Sequence, residues 1–168
     1  MREIVKNPMA KVRFYIDGFN LYHAIEALNE PRLKWLNIRK LCEQHLRDGE
    51  ELDEVYFFTA IWPYDQEKQR RHKNFLTALR ATGVKPVEGN FKRSDRKCYK
   101  HGRSCPFREE KQTDVNIAIQ MVSDALAGRA QRLVLVTADS DQIPTAKLIA
   151  EIEGVQLSLI FPPGRAGE

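Results

Sequence analysis

Apolar residues fall along this chain in short blocks whose period switches between two and about 3.6. Residues 11–16 (KVRFYI) are a β-branched and aromatic run that stops at Asp17-Gly18, which predicts a strand. From Phe19 the period turns helical, with Leu21, Tyr22, Ile25 and Leu28 at steps of three and four until Pro31 ends it. A second helix is predicted over 38–46, with Ile38, Leu41, Cys42 and His45 on one stripe. Residues 52–62 form an apolar run of strand length, closed by Pro63. A basic amphipathic helix over 66–82 follows, with Gly83 as its C-terminal cap, and then a short strand over 84–88. Residues 89–109 carry no helical period and read as a loop or hairpin insertion. A helix over 112–127 stops at Gly128, with Val115, Ala118, Met121, Val122 and Ala125 as its apolar face. The fully apolar strand RLVLV (132–136), a helix over 143–153 and a last strand over 155–161 complete the series.

Strands alternating with helices imply an α/β fold with a mainly parallel central sheet covered on both faces. Right-handed crossovers then bring the C-terminal ends of the strands to one edge, where open α/β sheets place their ligands. With 168 residues, 42% of them hydrophobic, the chain suits one core rather than two. We expect a single domain over 11–161, a lead-in over 1–10 and a tail over 162–168, ending where a further helix would follow.

Charge sharpens this picture through its distribution. Residues 64–112 hold fourteen Lys or Arg against six Asp or Glu, a local +8; the whole chain is +4, so the remainder is −4. A basic segment beside acidic ones suits a polyanion gripped next to a metal site, although a solvated Lys/Arg-rich surface would look the same. The three cysteines, an odd number without a signal peptide, argue against a secreted disulfide scaffold. No apolar run approaches the roughly 20 residues of a membrane span, so the expectation is a cytoplasmic protein.

The candidate chemistry is carboxylate chemistry. Asp17 follows the first strand, Asp139 and Asp141 follow RLVLV, and Asp114 opens the helix leading into it. Such a fold gathers these positions at one edge. Asp114 falls inside the predicted apolar arc of its helix, where an unpaired carboxylate costs several kcal/mol unless a cation or hydrogen bonds relieve it. Helix capping and the helix dipole are the plainer account of Asp114, and turn or cap roles that of the others. Asp124, near the edge of the same helical face, reads as a surface residue, with a place around the site as the alternative. Clustered Asp suit Mg²⁺ or Mn²⁺ rather than zinc, and such ions serve phosphodiester hydrolysis. No GxxxxGK[ST], GxGxxG or GxSxG motif offers a competing site.

Three ordered motifs, YIDGFNLY (15–22), EKQTDV (110–115) and TADSD (137–141), resemble those of the NYN domain family and its LabA-like bacterial members, relatives of the PIN nucleases. The resemblance spans residues 11 to 161. It implies a PIN-like Rossmannoid three-layer sandwich and Mg²⁺- or Mn²⁺-dependent endoribonuclease activity on single-stranded or structured RNA. By motif position it implies Asp17, Asp114, Asp139 and Asp141 as metal-site carboxylates, Asn20 beside them, and Lys111 as a phosphate contact. A catalytically weak RNA-binding or protein-interaction module, or a homo-oligomer, fits the same motifs. Many relatives carry an aromatic residue after the second Asp of the third motif; here it is Gln142, which bears on substrate fit at that loop.

Further RNA contacts are expected from Lys92, Arg93, Arg96 and Lys97 in the insertion and from Arg70 and Arg71 on the basic helix, with Tyr99 and Phe107 as stacking rings. Cys98, His101 and Cys105 place three soft ligands within eight residues. A structural zinc site takes four; Cys42, His72 or an Asp such as Asp95 would be the fourth, or the fourth is absent and the segment is a basic loop alone.

Overall fold

The computed structural model describes residues 9–97, 102 and 104–165; the side chains of 93–97 and 104–108 lie outside that description. Six strands form one sheet: β1 (Ala10–Asp17), β2 (Glu50–Ala60), β3 (Lys85–Lys97), β4 (Ser104–Lys111), β5 (Arg132–Val136) and β6 (Gln156–Ile160). Their spatial order is β4-β3-β2-β1-β5-β6, parallel throughout except for the antiparallel β3–β4 pair.

Helices α1 (Gly18–Ala27), α2 (Ile38–Glu43) and α3 (Gln66–Ala81) cover one face of the sheet. Their Leu21, Ile25, Ile38, Cys42, Leu76 and Leu79 close over Val12, Phe14, Ile16 and Val55. Helices α4 (Thr113–Leu126) and α5 (Ile143–Ala150) cover the other, where Ile117, Met121, Ala125 and Ile149 meet Tyr15, Phe58, Leu133 and Leu135. This is the expected three-layer α/β sandwich. No helix among the described residues is long and apolar enough to cross a membrane.

Several boundaries differ from the sequence reading. α2 ends at Glu43 and His45 is exposed, because from His45 on the helical bonds give way to three-residue turns, His45 N–H to the Cys42 carbonyl and Leu46 N–H to that of Glu43. Pro31 opens a short 3₁₀ turn rather than closing α1, which has already stopped at Ala27. α5 ends at Ala150. The buried side of α4 is also rotated from the predicted face: Thr113, Ile117, Met121, Asp124 and Ala125 point inward, and Val115 is 58% exposed.

The strand at 84–88 and the insertion prove to be one element. β3 pairs with β2 only as far as Gly89, then runs on as a hairpin arm against β4, from Asn90↔Lys111 to Lys97↔Ser104.

Candidate metal centre

The chain runs outward through β1, β2 and β3, then crosses by α4 to the opposite side of β1 and continues through β5 and β6. The two directions part between β1 and β5, the switch point at which α/β sheets open a crevice. Asp17 ends β1 and Asp139 lies three residues beyond β5, so both stand at that opening. α4 begins there as well, with Asp114 in its first turn. Asp17, Asp114 and Asp139 each present a carboxylate oxygen within 4.8 Å of the other two.

Local structure holds each of the three in place. Asp17 is buried and caps α1, its Oδ1 accepting from the Asn20 backbone N–H at 3.0 Å. Thr137 donates its hydroxyl to Asp17 Oδ2 at 2.9 Å and accepts from the Asp139 N–H at 3.0 Å, tying two of the carboxylate loops together. The Asn20 side chain bridges the same gap, its Oδ1 accepting from Ala138 N–H at 3.1 Å. That leaves the Nδ2 donors as the part of the amide open to a ligand.

Glu110 secures the third element by accepting from both the backbone N–H (3.1 Å) and the hydroxyl of Thr113 at the start of α4. Gln112 makes the turn before it with φ of 84°. A non-glycine residue held there stores about 1–3 kcal/mol of strain that the surrounding contacts must offset. The Gln142 amide donates to the Asp114 carbonyl at 3.2 Å and, at 3.5 Å, reaches its Oδ1. Gln142 thus stands behind Asp114, buried, rather than lining the cleft.

The electrostatics favour a cation. Burial, and then the charge of Asp139, push the Asp17 carboxyl above its ordinary range against the hydrogen bonds that it accepts. Burial, followed by Asp139 and Asp17, pushes Asp114 in the same direction. Three converging carboxylate oxygens, two of them on carboxyls whose charge burial disfavours, are a set that a hard divalent ion satisfies and that zinc's soft ligands do not resemble. The cleft around them has a volume of about 370 Å³ and is lined by Asp17, Phe19, Asn20, His23, Glu110, Thr113, Asp114, Asp139 and Arg165.

Asp141 stands apart from this group. It is exposed, and its N–H bonds to Asp139 Oδ1 at 2.9 Å. Lys111, Lys92, Arg70 and Arg71 are exposed and outside the lining; Lys111 pairs with Glu109 at 2.9 Å and Arg71 with Glu67 at 2.8 Å. Cys98 and His101 lie outside the described residues, as do the side chains of Cys105, Arg93, Arg96, Lys97, Tyr99 and Phe107. Asp124 corrects the surface reading: it is fully buried at the far end of α4, bound by Tyr15 and Arg13.

Four residues of the site escaped the sequence reading. Thr137 and Glu110 sat within the quoted motifs, but their hydrogen-bonding roles appear only in three dimensions. His23 and Arg165 carried no signal, since nothing in the pattern returns the tail to the cleft.

The NYN domain family model matches residues 11–167. The chain belongs to the NYN domain family. NYN domains are part of the PIN-like nuclease superfamily, and the carboxylate cluster of this NYN domain fits a divalent-metal site of the nuclease kind. The chain is similar to 6-hydroxy-3-succinoylpyridine 3-monooxygenase HspA of Pseudomonas putida, with 26% identity over 96% of the chain and 62% of that protein. It therefore spans less than two thirds of that relative's length. A protein of unknown function from Vibrio parahaemolyticus, VPA0982, has the same fold, with a TM-score of 0.59 and 16% identity over 94% of this chain and 85% of that one.

Proposed function

We propose that this NYN domain is a metal-dependent endoribonuclease, with Asp17, Asp114 and Asp139 holding Mg²⁺ or Mn²⁺. The observation that carries the reading is the convergence of three carboxylate oxygens within 4.8 Å at the switch point of the sheet. Such an ion supplies positive charge to a phosphodiester and acidifies water for attack on phosphorus. The chain's own part is to aim and hold. Asn20 Nδ2 offers donors to phosphate oxygens, Arg165 adds a positive charge to the cleft lining, and Thr137 keeps Asp17 and Asp139 in register. Asp141, one residue beyond the 3₁₀ turn's start, is close enough in sequence to join through the same loop. The basic insertion and α3 draw the polyanion to the cleft.

The test is cleavage of a labelled RNA by nuclease-free protein in Mn²⁺, with EDTA and Asp17→Asn as controls. Loss of cleavage in both controls supports the reading; RNA left intact by the wild-type protein in Mn²⁺ and in Mg²⁺ overturns it. RNA binding indifferent to EDTA and to Asp17→Asn would favour the non-catalytic module instead.

Similarity to a monooxygenase supports a second reading, oxygenation of a small heteroaromatic acid in the same cleft. Consumption of 6-hydroxy-3-succinoylpyridine under O₂ with a supplied reductant would favour it. The all-oxygen donor set and the basic flank weigh toward phosphodiester chemistry.

A further inference from the structure

The aspartate cleft holds an imidazole that the proposed chemistry has not yet used. His23 lies on α1, three residues after Asn20 and six after the helix-capping Asp17, and lines the cleft with both. A helical side chain leans toward the N-terminus of its helix, so the ring tilts toward the carboxylate end of α1.

The ring is anchored along one edge. Its Nδ1 stands 3.9 Å from Glu26 Oε2, one turn further along α1. The other oxygen of Glu26 accepts from the Tyr22 hydroxyl and from the Lys34 ammonium, each at 3.1 Å. Lys34, and then Tyr22, hold the Glu26 carboxyl below its ordinary range, so it stays charged beside the ring. The Tyr22 ring meets the imidazole edge-to-face, 5.5 Å between centroids and 73° between planes. Glu26, Tyr22 and Lys34 are not among the residues that line the cleft. With Nδ1 turned to Glu26, Nε2 is the ring nitrogen left to meet a substrate there.

Hydrolysis of a phosphodiester calls for such a group. The water oxygen bonds to phosphorus, the bond from phosphorus to the leaving nucleoside oxygen breaks, and the electron pair stays on that oxygen, which must take up a proton. Within the lining, the three aspartates are committed to the ion in the ribonuclease reading, and Glu110 accepts twice from Thr113. The amide of Asn20 and the guanidinium of Arg165 keep their protons at neutral pH. An imidazole is the side chain suited to the transfer. The charged groups around it are Glu26, with Lys34 behind it, and, along the cleft, Asp17, Asp114, Asp139, Glu110 and Arg165.

We propose that His23 is the general acid of the cleavage, its Nε2–H giving a proton to the leaving oxygen as the bond to phosphorus breaks. The proposal rests on the ribonuclease reading. The proton that the attacking water releases goes to solvent, and solvent returns one to the imidazole, so the protein ends as it began.

The experiment compares wild type with His23→Gln, which keeps a hydrogen-bond donor but transfers no proton. The side chain is 59% exposed, so the variant should match the wild-type melting temperature and its Mn²⁺ shift, which clears the fold and the metal centre of blame. On ordinary RNA in Mn²⁺, kcat should fall about 100-fold or more with KM little changed. The products show which oxygen leaves. An RNA with sulfur at that bridging position releases a thiolate, which departs without a proton, and the two proteins should cut it at rates within about threefold of each other. A second readout needs neither turnover nor the variant's stability. In EDTA, single-stranded RNA should move the imidazole ¹⁵N resonance of His23 Nε2 and leave that of His45, exposed beyond the end of α2, in place. An unmoved His23 resonance, a variant as active as wild type on ordinary RNA, or an equal loss on the oxygen and sulfur substrates would each overturn the proposal while wild-type cleavage leaves the nuclease reading standing. RNA left uncut by wild type would overturn that reading and the general acid with it.

Discussion

Asp114 and Asp124 sit ten residues apart on α4, about 15 Å along the helix, and meet opposite electrostatics. Asp124 is fully buried, yet it accepts from Tyr15 Oη (2.7 Å), Gln120 Nε2 (3.0 Å) and Arg129 Nη1 (2.9 Å) and pairs with Arg13 Nη1 (3.0 Å). Burial works against its charge, but those partners outweigh it and hold the carboxyl below its ordinary value of 3.8. A depressed folded value means stabilisation that is present above the ordinary range and lost as pH falls through the folded one. Asp124→Asn should therefore cost about 3 kcal/mol at pH 7 and much less below pH 3, measured by urea unfolding at both. An equal cost at both pH values would sink this account. For Asp114 the sign reverses: burial and the facing Asp139 and Asp17 raise it, so its ionised form costs stability at neutral pH, a cost that fades as pH falls. Asp114→Asn should raise the melting temperature in EDTA by about 2–4 °C and abolish the further rise that Mn²⁺ gives the wild type. Equal Mn²⁺ shifts in the two proteins would remove Asp114 from the metal centre.

At the scale of elements, the join between β1 and α1 shows what a turn reading leaves out. Asp17-Gly18 reads in sequence as an ordinary strand-to-helix turn, but a Cβ on Gly18 would stand 2.6 Å from Phe57 Cε1 and from the Phe58 carbonyl oxygen. Only glycine lets α1 lie this close to β2. Gly18→Ala should cost about 2 kcal/mol or more and weaken Mn²⁺ stabilisation beyond that loss, because α1 carries Asn20 away from Ala138 as it shifts. A calorimetric scan with and without Mn²⁺ checks both parts; an unchanged metal shift would uncouple helix placement from the site. The strands and helices around this joint were legible because each has a core face that writes its period into the sequence. The β3–β4 arm wrote no such period into the sequence: beyond Gly89 its backbone leaves β2 and pairs with β4, and its polar residues read as loop. The phase of α4 was misread for a related reason. Thr113 and Asp124 are buried by satisfying hydrogen bonds, to Glu110 and to Tyr15, so a count of apolar residues turned the helix toward Val115. Asp17, Asp114 and Asp139 were legible through strand ends and motif order. Arg165 was not, because its place in the cleft depends on where the tail folds back.

For the whole molecule, topology divides the work between a rigid acidic crevice and a basic arm. The crevice is built from residues far apart in sequence and held by the sheet, whereas the eight residues from Asn90 to Lys97 carry the arm roughly 25 Å past the last β2 pairing. Residues 92–108 contain seven Lys or Arg and one acid, Asp95. Beyond Gly89 the arm's backbone has left β2 and pairs with β4, so shortening it keeps the parallel β1–β2–β3 pairing that carries the crevice. Replacing residues 94–107 with Asn-Gly would join the register pair Arg93↔Arg108 through a two-residue turn. The change keeps Glu110, Phe91 and Lys92 and removes Arg96, Lys97, Lys100 and Arg103. The shortened protein should melt within a few degrees of wild type and keep its full Mn²⁺ shift. Its affinity for single-stranded RNA should fall, and the slope of log affinity against log salt should become shallower. Each lost phosphate contact lowers that slope by about 0.7, so four would lower it by roughly 3. Anisotropy titrations across a range of salt concentrations measure the slope directly. A shortened protein with the wild-type slope would mean that the arm's cations never reach the backbone, and would move the electrostatic grip to Lys68, Arg70 and Lys73 on α3.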